Sequence, residues 1–134
     1  MTTLAQVRDG LETRLNTIDG LRVYNLIPDD ANYPAATIDL VVIEYTSLNI
    51  GASRRAVFEV GLFVPRTVDR KQLELYDLID NGPGSVFAVI LADPSLGGLN
   101  VNAHQLGGPV ALDTDRLGLT NLYGRAVNIN VFIS

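Results

Sequence analysis

The stretch 36–65 constrains this chain more than any other part of it. Two arms, 36–45 and 54–64, flank a small-residue break, and both are rich in the β-branched and aromatic residues that suit a pleated, half-buried surface. Side chains alternate faces along a strand, so the even positions predict one apolar face: Ala36, Ile38, Leu40 and Val42, then Phe58, Val60, Leu62 and Val64. The odd face is mixed, with Thr37, Asp39, Val41, Ile43 and Tyr45 against Arg55, Val57, Glu59 and Phe63. A slip of one residue would turn one arm's apolar set to the wrong side, so the pattern sets the parity of the register. The expectation is a long antiparallel hairpin with its even face in the core. Its second face is too apolar in the middle to be simply wet, which leaves two readings: cover from helices, or cover from a neighbouring subunit.

The flanking segments supply the helices. Leu4, Val7, Leu11, Leu15 and Ile18 recur at steps of three and four behind a Thr2 or Thr3 cap, and Asp19-Gly20 reads as the stop. A strand is expected over 21–27, then a polar, proline-bounded loop through Pro28, Asn32 and Pro34. After the hairpin, Thr67 or Asp69 caps a second helix with Val68, Leu75, Leu78 and Ile79 inward, flanked by Leu73 and Tyr76. Ser85 caps a short segment, 86–92, that is apolar all round; it is a covered helix or a buried strand, and periodicity over so few residues does not choose. A one-face strand runs from Leu99 until Gly107-Gly108-Pro109 breaks it, and 110–120 is irregular by pattern. Tyr123, Val127, Ile129, Val131 and Ile133 mark one face of the last strand.

Helices before and after a group of strands predict an α+β fold: a mostly antiparallel sheet built on the central hairpin, with helices packed on one face. The 134 residues read as a single domain, 1–134, large enough to bury a real core. A net charge of −5 argues against a free nucleic-acid binder, which needs a basic stripe to neutralise phosphates. There is no cysteine, so neither disulfides nor thiolate chemistry are available. The sequence shows no signal-peptide core and no apolar run near the ~20 residues that cross a bilayer, so the expectation is a soluble cytoplasmic protein with no membrane partner.

Chemistry-bearing residues do not converge. The single histidine, His104, lies on the polar side of a strand among asparagines, without the partners that a metal or catalytic role requires. Gly82-Pro83-Gly84-Ser85 precedes a helix but lacks the Lys-Ser/Thr ending of a phosphate loop, so it reads as a cap. The pairs Asp29/Asp30, Asp77/Asp80 and Asp113/Asp115 have no spacing that sets them across a substrate. No catalytic, cofactor or metal residue is assigned, and the expectation is a protein that is not an enzyme.

A resemblance adds what composition does not. Leu4-Ala5-Gln6-Val7-Arg8-Asp9-Gly10-Leu11, Gly20-Leu21-Arg22-Val23-Tyr24 and Ile27-Pro28-Asp29, the hairpin after Pro34, and Ala92-Asp93-Pro94-Ser95-Leu96-Gly97-Gly98 together resemble the tail terminator proteins of long-tailed, non-contractile bacteriophages, notably those of actinobacterial hosts. The tip, Ser47-Leu48-Asn49-Ile50-Gly51-Ala52-Ser53, departs from the glycine- and aromatic-rich turn expected there. The resemblance implies a virion protein at the head-proximal end of the tail, made in the host cytoplasm. It implies a hexameric ring that caps the tail tube, stops polymerisation and presents the head–tail joining surface. The implied partners are further copies of itself, the major tail tube protein and the head–tail connector or stopper, with genomic DNA passing through the channel without specific binding. A stopper or adaptor of the same junction is the alternative, and a small cytoplasmic ligand-binding domain a more distant one. The residues expected at a subunit or tube interface are Val41, Ile43, Tyr45, Leu48, Ile50, Arg54, Arg55 and Phe63. Exposed contiguous apolar surface marks such contacts, and a head-to-tail contact closes into a ring when its rotation divides the circle.

Overall fold

The computed structural model describes residues 2–28, 31–45, 54–66, 69–112, 114 and 121–133. The elements run α1 (Leu4–Leu15), β1 (Arg22–Val23), β2 (Ala35–Tyr45), β3 (Arg54–Pro65), α2 (Asp69–Ile79), α3 (Val86–Ala92), β4 (Val101–Ala111) and β5 (Leu122–Ile133). The strands form one open sheet in the order β1-β2-β3-β5-β4, antiparallel except where β1 runs parallel to β2. The fold is therefore the expected α+β arrangement, a mostly antiparallel sheet on the β2–β3 hairpin with three helices packed against it.

The core lies where the sequence pattern puts it. Ala56, Phe58, Val60, Leu62 and Val64 of β3 and Val127, Ile129, Val131 and Ile133 of β5 are buried under Val7, Leu11 and Leu15 of α1, Leu75 and Leu78 of α2, and Val86 and Ile90 of α3. Cross-strand partners share a face, and the pairs Phe58–Ile129 and Val60–Val127 place the two apolar sets side by side.

Local chemistry explains the helix ends. Thr3 caps α1 with a reciprocal pair: the Gln6 amide donates to Thr3 Oγ1 at 3.1 Å, and the Thr3 amide donates to Gln6 Oε1 at 2.8 Å. The helix ends at Leu15, earlier than the apolar spacing suggests, and Asn16 caps it. Ile18 and Leu21 are still buried, carried by a turn in which Gly20 takes a φ of 82°. The segment with two readings is a helix, with the Ala88 amide donating to Ser85 Oγ at 3.1 Å. It is not covered all round: Val86 and Ile90 are buried while Phe87 and Leu91 are exposed. In α2, Leu75 and Leu78 face inward as expected and Leu73 and Tyr76 are exposed; Thr67 and Val68 lie outside the described residues.

Two strands differ from expectation. The strand foreseen over 21–27 pairs only at Arg22–Val23, before the proline-bounded loop draws the chain away. The break at Gly107-Gly108-Pro109 is instead an irregularity inside β4: Leu106 pairs with Asn128 and pairing resumes at Val110 with Ala126. Gly107 takes a φ of 70°, and Pro109 sits on an edge strand, where a missing amide costs the sheet nothing on its outer side.

Candidate interaction surface

The outer half of the β2–β3 hairpin is built by a bulge. Leu40 pairs with Phe58 and Val42 with Val57, so Val41 is an extra residue on β2. Past it the parity reverses. Ile43 then pairs with Ala56 and Tyr45 with Arg54 on the helix side, while Val42 and Glu44 join the opposite face. This corrects two expectations, that Val42 continues the core face and that Ile43 and Tyr45 continue the second face. The reason is that an unpaired residue consumes one position of the alternation, which composition does not reveal.

Exposure changes sharply at the same place. Ala35, Ala36 and Ile38 are buried, whereas Leu40, Val41 and Val42 are exposed, Ile43 is half-buried and Tyr45 is 74% exposed. Val41 and Tyr45 are thus exposed, and so are Leu40 and Val42, which the parity argument had assigned to the core. Leu26, three residues beyond β1, is 85% exposed. Leu48 and Ile50 lie outside the described residues.

The other expected interface residues serve the chain itself. Phe63 is only 2% exposed, so its assignment to an intermolecular surface is corrected. Its ring fills the space over two glycines: a Cβ on Gly61 would lie 2.9 Å from the ring and one on Gly124 3.1 Å from it, and at Gly124 Leu112 and Thr114 crowd the same point. Among the described residues, Leu112 and Thr114 therefore close the second face at this end. Arg66 fastens that closure, donating to the Leu122 carbonyl at 2.9 Å and to Thr114 Oγ1 at 3.0 Å. Arg54 donates to the Thr2 carbonyl at 2.6 Å, tying the hairpin to the start of α1. Arg55 pairs with Glu44 at 3.0 Å, across the strands. Both cations are engaged within the chain.

The middle of the second face is polar. Asp39 stands directly opposite Glu59, which is opposite Asn128. Among the described residues, neither carboxylate has a cation within ion-pair distance or a side-chain hydrogen bond. Like charges facing each other across strands are unfavourable by up to about 1 kcal/mol. Further along, His104 stacks on Phe132 with ring centroids 5.8 Å apart, and its Nε2 lies 3.3 Å from Asn130 Nδ2. His104 is on the exposed polar side of β4, as its position predicts, and its hydrogen-bond partner among the described residues is Asn130.

Among the described residues, no group of three or more His, Asp or Glu side chains could hold a metal ion, and no helix is long and apolar enough to cross a membrane. A cleft of about 350 Å³ lies between the end of α1, the start of β2 and the end of α2, with Asp19 and Asp77 in its lining. Among the described residues of that lining, no Lys, Arg or His stands beside the two carboxylates. No family model matches this chain, and no curated protein matches it.

Proposed function

We propose that this protein is a structural subunit of a non-contractile phage tail, a terminator that assembles with its own copies as a hexameric ring on the end of the tail tube. In that role it stops tube polymerisation and offers the head connector its seat. The reading rests on the sequence resemblance, and one structural observation carries it further: the outer half of the hairpin carries Leu40, Val41, Val42 and Tyr45 exposed. Surfaces of this kind on a small domain mark contacts with other chains. A second exposed apolar set, Leu73 and Tyr76 on α2 with Phe87 and Leu91 on α3, lies on different elements. A ring made by head-to-tail contact needs two unlike patches of this sort. The net charge of −5 suits a channel that DNA must traverse without adhering.

Deleting the gene from a phage that carries it tests the reading. Electron microscopy is expected to show filled heads beside unjoined and overlong tails. Normal infectious particles would refute it, and unjoined tails of correct length would move the protein to the stopper or adaptor position.

A further inference from the structure

The two outer strands of the sheet are not equally closed. The carbonyls of Pro34 and Ala36 accept from the amides of Arg22 and Tyr24, so these positions of β2 point outward to β1. By the two-residue alternation of a strand, the amides and carbonyls of Ile38 and Leu40 point the same way, past the end of β1. Among the described residues no other segment's backbone bonds to them. Residues 37–45 therefore form an edge with unmet hydrogen-bonding groups and no proline or lysine to guard it.

We propose that this edge of β2 is a docking site for an extended basic segment of another protein, which adds to the sheet as a further strand. Main-chain bonds supply the attachment in such strand addition, and alternate side chains supply the choice of partner. Here the choice is set by Asp39 and Glu59, adjacent carboxylates that have no counter-ion among the described residues. A residue of the incoming strand opposite Asp39, on the same face, sits within reach of it, and a long arginine or lysine side chain there extends toward Glu59. A second copy of this chain fits poorly. The antiparallel self-pairing centred on this edge, with Asp39 opposite Glu44, sets each acid against an acid of the other copy and adds no cation to neutralise Asp39 and Glu59. The other edge, β4, is already covered where the Ala103 amide donates to the Pro94 carbonyl, and it is interrupted at Pro109. The occupant is thus a foreign strand with positive charge, and the site stands whether or not the ring reading holds.

The full chain is titrated with two synthetic peptides, one alternating valine with arginine and the other valine with glutamate, followed by fluorescence anisotropy and amide hydrogen exchange. The basic peptide is expected to bind and, at roughly ten times its Kd, to slow exchange at Ile38 and Leu40 about tenfold. The acidic peptide is expected not to bind. Neutralising the carboxylates (Asp39→Asn with Glu59→Gln) is expected to weaken binding about fivefold without loss of fold, and Leu40→Pro to abolish it by removing an outward donor. Should Leu40→Pro misfold, the neutralised variant decides alone. Binding of the basic peptide without slowed exchange at Ile38 and Leu40, or with equal affinity for the neutralised variant, would reduce the effect to general attraction to an acidic protein and overturn the proposal. Failure of both peptides to bind overturns it too. So does protection of Ile38 and Leu40 that rises with protein concentration alone, which assigns the edge to a second copy.

Discussion

The edges at β2 and β4 belong to one sheet and are treated in opposite ways. Strand β4 is blunted three times: a loop carbonyl takes the Ala103 amide, the run Gly107-Gly108-Pro109 interrupts the ladder, and Asn102 and His104 point polar groups outward. Strand β2 is flanked by only two residues of β1, and beyond them no described segment bonds to its outer side, with Leu40, Val41 and Val42 exposed. Unprotected edges invite association, and proteins that must stay apart guard them. The contrast teaches that this chain guards the β4 edge more heavily, while β2 carries only the bulge at Val41 and the acids Asp39 and Glu44 and keeps outward backbone groups open.

The loop that guards β4 is itself chemically held. The Ser95 hydroxyl donates to Asp93 at 2.6 Å and the Gly97 amide at 2.9 Å, and these bonds, the Ser95 one foremost, hold the Asp93 carboxyl below its ordinary range against a weaker opposing effect of desolvation. Leu96 takes a φ of 53° and Gly97 and Gly98 take 90°, so the loop turns tightly enough to bring Pro94 onto β4.

The largest expected effect concerns what lies between the two edges. If the chain itself closes the second face around Phe63, Phe63→Ala costs about 3–4 kcal/mol in urea unfolding of the isolated protein. A loss below about 1 kcal/mol would mean that the face is completed by a partner and that the two edges are not its only open regions. Next is the anchor of the open side. Arg54→Ala removes the bond to the Thr2 carbonyl and is expected to cost about 1–2 kcal/mol, with faster amide exchange in the first turn of α1. An unchanged exchange pattern would detach the hairpin from that helix.

The comparison is broken most directly by matched charges on the two edges. Val41→Lys on β2 and Val110→Lys on β4 both replace exposed valines, so each should alter stability by no more than about 0.5 kcal/mol. Only the β2 change is expected to reduce association with partners or precipitation in light scattering. Equal effects from both would erase the distinction. The smallest effect is local: Asp93→Ala should accelerate exchange of the Ala103 amide while leaving Ile38 and Leu40 unaltered. Because the folded pKa is depressed, the contribution of Asp93 is present above the unfolded carboxylate's value and is lost as pH falls through the folded one. Exchange at Ala103, corrected for its intrinsic pH dependence, should therefore rise in acid. No such rise would separate the loop from the carboxylate.

The sequence by itself determined the fold class, the hairpin, the two caps at Thr3 and Ser85 and the faces of β3 and β5, because caps and side-chain periods are local properties of a few residues. It also placed Val41 and Tyr45 at an exposed surface. Only the tertiary structure decided the rest. Val41 becomes a bulge because β3 has one residue fewer to offer across that stretch, and a count over two paired strands is not written in either one. Phe63 becomes core because Gly61 and Gly124, distant in sequence, make room for its ring in the same place. Leu40 and Val42 become surface because they fall on opposite faces either side of the bulge, where the described residues cover each only in part. Apolar character tells a residue that it prefers cover; which neighbour provides that cover depends on pairings across the chain, and those exist only once it has folded.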